Sequence, residues 1–414
     1  MQVITDEAVL EKIHSFVMEK SANGEKARAF RPEPFWKGLK DLGTALWLDT
    51  GDIEAAAKLW TAEFSGLTTN NTLLNKEIQK GTYDGVIKEA GAMLGRMEKE
   101  QKVIEIAFLL NALHGQRLVH TFGTHVSVEL HTATAHDVAA AVAYGRRFHA
   151  IDPDRFIVKV PLTAAGLLAT RALRQEGIPV NFTLGFSARQ NYLSAVFASP
   201  SFVNVFLGRC NAYVSDNALG DGLLVGEKAT LASQRAVSEV SRASGKQTLQ
   251  IAASMRGGGQ VADLAGVDVM TIPTATAAEA RSSLDGKWRT RLKEEYRVTL
   301  GPGVEEKRVR LSVLWDVSSA VKDFARAVAA NPPASADELV QSARQHGVGD
   351  LFPRLSDDEL QQIASDGKVP KHSRWAQKVA SGELAIDSLL NLAGLASFTQ
   401  DQKALDDRIR GLIG

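Results

Sequence analysis

Cysteine is almost missing from this chain: among 414 residues only Cys210 carries a thiol. No intramolecular disulfide can form, and a reducing compartment, the cytoplasm, is the expected setting. Charge of one sign is not in excess either. Forty-eight Lys and Arg balance forty-eight Asp and Glu, so no global field draws in nucleic acid or an anionic membrane, and neither is expected as a partner. No segment reaches the ~18 uninterrupted apolar residues that cross a bilayer, and residues 1–36 lack a hydrophobic core of secretory length, so neither a membrane span nor a signal peptide is expected. A Gly-x-Gly-x-x-Gly turn after the first strand-like run is missing too, which removes the argument for a dinucleotide crevice; Gly257-Gly-Gly259 is too short a cue for one. What is present, 44% hydrophobic and 23% charged residues, is the composition of an ordinary globular protein.

From Thr44 onward, short β-branched or apolar runs alternate with helical patterns, the signature of βα units and a parallel sheet. Eight runs are expected as strands, at 45–50, 67–70, 125–130, 156–161, 180–186, 202–209, 248–254 and 268–273. Helix-like stretches at 52–64, 136–149, 164–176 and 227–244 have apolar residues three and four apart. The expected fold is α/β: a (β/α)8 TIM barrel at 44–283, preceded by an N-terminal extension (1–43) with one helix from Asp6 to about Lys20, and followed by a helical C-terminal extension (284–414). An open doubly wound sheet is the alternative. Within the last part, Asp337-Glu-Leu-Val and Ser356-Asp-Asp-Glu-Leu read as helix starts, the second with a capping box. Neither extension shows identifiable chemistry.

One residue breaks the apolar run at 156–161. Lys159 sits inside Phe156-Ile-Val-Lys-Val-Pro161, where burial disfavours an ammonium and favours the free amine that attack on a carbonyl requires. A structural lysine paired with one carboxylate is the plainer reading. In a barrel, however, strand ends converge on one mouth, and polar residues fall late in the other runs. Asp49, Asn70, Glu129, Lys159 and Arg209 lie late in strands one, two, three, four and six; Asn181 and Thr183 alternate on the fifth; Ser254 and Arg256 follow the seventh. Two carboxylates, a lysine and two arginines brought together without a polar ligand would be strongly unfavourable.

Here the chain resembles the transaldolase family, over residues 44–275. The stretches that carry the resemblance are Leu48-Asp-Thr, Gly66-Leu-Thr-Thr-Asn-Asn-Thr-Leu-Leu74, Val126-Ser-Val-Glu129, Ile157-Val-Lys-Val-Pro161, Glu176-Gly-Ile-Pro-Val-Asn-Phe-Thr-Leu184, Phe206-Leu-Gly-Arg209, Ala253-Ser-Met-Arg256 and residues 268–273. The resemblance implies that Lys159 forms a Schiff base with a ketose, that Asp49 is the acid/base at the cleaved bond, and that Glu129 with Thr183 handles the catalytic water. It implies further that Asn70 and Asn181 hold ketose hydroxyls and that Arg209, Ser254 and Arg256 bind phosphate. The reaction so implied moves a dihydroxyacetone unit from sedoheptulose 7-phosphate or fructose 6-phosphate to glyceraldehyde 3-phosphate or erythrose 4-phosphate, in the non-oxidative pentose phosphate route, with phosphorylated sugars as partners and no cofactor or metal. Relatives that split fructose 6-phosphate carry Gln and Tyr where this chain has Glu129 and Phe206, so transfer rather than splitting is expected. Two positions depart from the pattern: Asn71 replaces a proline, with an expected effect on turn stiffness alone, and Asn204 replaces a small serine beside the donor, with an expected effect on donor choice. The segment 211–226 is unlike typical members and is read as a lid-like loop.

Two other readings compete. Six of the nine histidines fall between His114 and His149, among them His120, His125, His131 and His136, which raises a metal-dependent aldolase; their spacing, spread over a loop, a strand and a helix start, does not put the imidazoles on one face. Chelator insensitivity with borohydride inactivation separates the two chemistries. The second alternative is an inactive barrel used for assembly, against which the retained charges at the mouth argue. The C-terminal extension is expected to cover barrel helices or to form the subunit contact of a homo-oligomer.

Overall fold

Parallel strands that are covered on both faces must be apolar almost throughout, and the strand containing Lys159 is buried at all six positions. The computed structural model describes residues 3–22 and 28–414. Eight strands, β1 (Ala45–Asp49), β2 (Phe64–Thr68), β3 (His125–Glu129), β4 (Phe156–Pro161), β5 (Val180–Thr183), β6 (Phe202–Phe206), β7 (Leu249–Ala253) and β8 (Val269–Pro273), pair in parallel in sequence order and close on themselves through β1 and β8. This is the expected (β/α)8 barrel. Its interior is packed: the Trp47 and Phe202 rings lie 4.9 Å apart, and a Cβ on Gly66 would come within 2.6 Å of the Trp47 indole, so only glycine fits there. Among the described residues, no helix is long and apolar enough to cross a membrane.

Strand ends differ from the sequence expectation wherever a side chain or a turn captures the backbone early. β2 stops at Thr68 because Asn70 caps the helix Asn71–Gln79, its Oδ1 accepting from the Leu73 amide at 2.9 Å. β5 stops at Thr183 because Leu184 turns into the left-handed region at φ 63°. β6 stops at Phe206, and Arg209 lies not at a strand end but in the first turn of the helix Leu207–Asp216. Gly208 permits that turn, since a Cβ there would meet the Ser254 carbonyl oxygen at 2.2 Å. The same helix corrects the lid reading of 211–226: residues 211–216 are helical, and the following turn is tied down by the Gly220–Leu300 bridge. The expected helix at 52–64 shortens to Ile53–Ala57. Among the described residues the N-terminal extension holds two helices rather than one, Glu7–Ala22 and Pro34–Lys40, the second started by a proline whose missing N–H costs nothing in a first turn.

The C-terminal extension ends in a 28-residue helix, Ile386–Ile413, that crosses the mouth of the barrel. Its first half is enclosed on every side, including Asp387, Ser388 and Asn391. The Asp387 carboxylate receives Arg189 Nε at 2.7 Å and Nη2 at 2.8 Å, and Ser187 Oγ at 2.6 Å; Asp350 takes the third guanidinium nitrogen at 3.0 Å. Asn391 Nδ2 donates to the Leu162 and Leu184 carbonyls after β4 and β5, each at 2.9 Å. Asn71 Nδ2 donates to Gln402 Oε1 at 2.7 Å, and Thr72 bonds Asp401. Asn71 therefore does more than alter turn stiffness: an amide stands where a proline would give no side-chain donor, and it fastens the helix after β2 to the extension.

Candidate active site

Register brings the first three groups together. Glu129 pairs with Lys159 across β3 and β4, and Lys159 with Asn181 across β4 and β5, so the three share one inward face at one height. Lys159 is 3% exposed; its Nζ donates to the Thr69 carbonyl at 2.9 Å and lies 3.2 Å from Glu129 Oε2. Burial pushes the Glu129 carboxyl above its ordinary range, against the pull of the Lys159 charge. Asp49, at the end of β1, is raised by burial as well and is held back by Lys159 and by the Thr68 hydroxyl, which donates to Oδ1 at 2.7 Å. Thr271 Oγ1 sits 2.6 Å from Thr68 Oγ1. Because Thr68 spends its single proton on Asp49, Thr271 must be the donor of that second bond, and Asp49 is fixed by a two-threonine relay.

A cavity of about 210 Å³ opens at this point, many times the ~10–15 Å³ that one water needs. Nine of the eleven residues singled out from the sequence line it: Asp49, Asn70, Lys159, Asn181, Asn204, Phe206, Arg209, Ser254 and Arg256. The other two, Glu129 and Thr183, do not line it; Glu129 reaches it through the Lys159 ion pair, which is all that its buried Oε2 meets, and Thr183 Oγ1 is buried without a hydrogen-bond partner. Asn204 Nδ2 donates to Asn181 Oδ1 at 3.1 Å, and Asn181 Nδ2 donates to Ser127 Oγ at 3.0 Å. Asn204 thus orients the neighbouring amide. Ser254 stands at φ 62°, a strained conformation for a serine, which turns the chain at the end of β7 and leads into Arg256.

Among the lining residues that the sequence reading did not single out, four shape the site. Thr68 and Thr271 were legible in principle, as polar residues at strand ends facing inward. Phe398 and Lys368 come from the extension. The Phe398 ring lies 5.9 Å from Lys159 Nζ and 5.7 Å from the Arg209 guanidinium, so an aromatic face covers both cations. The available signal was that from Ile386 to Phe398 only Asp387 is charged, which marks a helix buried all round.

Two of the clustered histidines, His114 and His131, serve the scaffold. His114 Nε2 lies 2.8 Å from the Gly51 carbonyl and must donate to it, so Nδ1 accepts from the Tyr83 hydroxyl at 2.8 Å; burial lowers this imidazole to about 4. His131 bonds Asp406 on the C-terminal helix. Among the described residues no three His, Cys, Asp or Glu side chains are grouped to hold a metal ion.

A family model described as transaldolase/fructose-6-phosphate aldolase matches residues 46–311. The chain belongs to that family. It is 30% identical over 267 residues to a transaldolase of Rhizobium etli, covering 63% of this chain and 81% of that protein. It is 35% identical over 234 residues to a probable transaldolase of Thermus thermophilus, covering 56% and 87%. A transaldolase of Xanthomonas campestris is 30% identical over 246 residues, covering 56% and 74%. The fold and family make this chain a transferase with transaldolase function. The match ends at residue 311, so the helix that roofs the cavity lies beyond it.

Proposed function

We propose that Lys159 is the nucleophile of a dihydroxyacetone transfer between phosphorylated sugars in the cytoplasm, and the observation that carries this is one buried amine, paired with the buried Glu129, in a cavity that it shares with the half-buried Asp49 and that arginines edge. The amine adds to the ketose C2 carbonyl, and loss of water gives an iminium. Asp49 takes the proton of the C4 hydroxyl; the C3–C4 bond breaks, and its electron pair moves to the iminium, leaving an enamine. The aldose departs with the phosphate. An acceptor aldehyde is then attacked by the enamine carbon, Asp49 returns the proton, and water hydrolyses the new iminium, with Glu129 and Thr183 supplying the unused hydrogen-bonding atoms beside Lys159. The acceptor is phosphorylated for the same reason as the donor, since both present a phosphate on the part of the sugar that is not bonded to the lysine.

Ionised Asp49 is the form that takes the proton, and Thr68 stabilises that form. Thr68→Val is therefore expected to raise the Asp49 pKa further and to move the acid limb of kcat/KM upward by about one pH unit, the scale of one hydrogen bond to a charged group. A pH–rate profile with an unmoved acid limb would remove Asp49 from the base role.

Transfer, rather than splitting, follows from Phe206, whose ring packs on Phe186 at 5.6 Å and offers no proton to the enamine. With fructose 6-phosphate as donor and erythrose 4-phosphate as acceptor, heptulose phosphate should form far faster than glyceraldehyde 3-phosphate is released without acceptor. Phe206→Tyr, which adds a hydroxyl at the cavity wall, is expected to raise the split-to-transfer ratio about tenfold or more, within the range typical of one general acid; an unchanged ratio would show that this ring does not set the partition.

A further inference from the structure

Cations gather at one side of the cavity, and among the described residues no carboxylate is in ion-pair contact with them, Glu129 and Asp401 acting on Arg209 only from a distance. The Arg209 guanidinium is buried with Nη1 unpartnered, and burial together with Arg256 pulls its pKa down to about 10. Among the described residues the Arg256 guanidinium and the Lys368 ammonium form no ion pair. Lys368 lies in the turn between the helices Asp357–Asp366 and His372–Ser381, outside the family-matched residues, and lines the same cavity. Partial burial, then Arg209, with Lys76 and Arg256 adding, disfavours its charge, and only Asp401 opposes them.

The turn is built onto the helix that carries Arg209. Arg209, Tyr213 and Asn217 are four residues apart, so they share a face of Leu207–Asp216 and its C-terminal cap. The Tyr213 hydroxyl lies 2.7 Å from His372 Nδ1; Asn217 donates to the Pro370 carbonyl at 3.0 Å and accepts from the His372 amide at 2.7 Å. Asp366 holds the other side, accepting from the Lys371 amide at 3.0 Å. One helix therefore sets Arg209 at its start and, two turns later, the loop that presents Lys368.

We infer that Lys368 is the third cation of the phosphate site, a specificity-determining residue supplied by the C-terminal extension that selects phosphorylated over unphosphorylated sugars. The inference rests on reading Arg209, Ser254 and Arg256 as that site. A sugar phosphate is a dianion with three strong acceptors, and it relieves the mutual repulsion of the three side chains as it binds. Since the phosphate leaves with the aldose, this grip acts on donor and acceptor but not on the three-carbon unit held by Lys159. Lys368 is exposed at the rim, so its share weakens as salt screens it.

The test uses the full chain with Lys368→Met, Lys368→Arg and Arg256→Ala, assayed with fructose 6-phosphate, with unphosphorylated fructose and with inorganic phosphate as inhibitor. Lys368→Met is expected to raise KM for fructose 6-phosphate and the inhibition constant of phosphate about tenfold, to affect fructose far less, and to lose part of the salt dependence; Lys368→Arg is expected to recover most of the loss. If Lys368→Met leaves both constants where they were, or weakens fructose and fructose 6-phosphate alike, while Arg256→Ala weakens the phosphorylated sugar selectively, Lys368 has no phosphate role and the arginine site stands. If Arg256→Ala also affects both sugars equally, the phosphate reading itself is wrong.

Discussion

Lys159→Met is expected to lower kcat by roughly 10⁴-fold or more, the scale on which an enzyme responds to loss of its covalent nucleophile. Methionine is close to lysine in length and removes both the amine and the charge. The Thr69 carbonyl loses its 2.9 Å donor, and Glu129 loses the cation 3.2 Å away. Glu129 is already raised by burial, so it takes up a proton rather than remaining an unpaired buried anion, and the chain still folds. Lys159→Arg separates the two properties, because guanidinium keeps the charge but stays protonated and cannot add to a carbonyl. Both variants should be inactive in steady-state transfer assays while retaining the circular dichroism of the parent. Turnover within tenfold of the parent in either would move the nucleophile elsewhere.

Asp387→Ala is expected to destabilise the protein by about 3–5 kcal/mol, the cost of stranding a buried charge. Arg189 is 5% exposed, and burial disfavours its charge; Asp387 and Asp350 outweigh that and hold it more firmly protonated than usual. Without Asp387 two of its donors, at 2.7 and 2.8 Å, and the Ser187 hydroxyl at 2.6 Å are left with nothing to bond. The loss is local in character, since these bonds pin the start of Ile386–Ile413 to the cap and first turn of the helix Ala188–Phe197 after β5. Amide exchange should accelerate along that helix more than along the strands, and turnover should fall with it, because Phe398 and Gly394 are the roof over Lys159 and Arg209. Asp387→Asn, which keeps shape and part of the bonding, should recover some of the stability. Unchanged exchange in the helix of Asp387→Ala would show that its seating on the barrel does not depend on this cluster.

The barrel was legible because its strands are buried on both faces and so read as apolar runs, and because a buried ionisable residue such as Lys159 stands out within one. What periodicity does not show is where a strand yields to a cap or a left-handed turn. Asn70 and Arg209 look like strand ends in the sequence and are a helix cap and a first-turn residue in the fold. The site's inner half was readable from strand-end polar residues; its roof was not, since the contacts of Asn71 with Gln402 and of Lys159 with Phe398 join positions more than 200 residues apart. Such pairings leave no local pattern. The extension looked devoid of chemistry because its contribution is shape, cover and one rim cation rather than a motif.

Reductive trapping tests the central claim most directly. Treating the chain with borohydride in the presence of fructose 6-phosphate and mapping the peptides by mass should place a reduced three-carbon adduct on the peptide containing Lys159, with loss of activity in proportion to labelling. An adduct on another lysine, or full activity after treatment with no adduct at all, would contradict it.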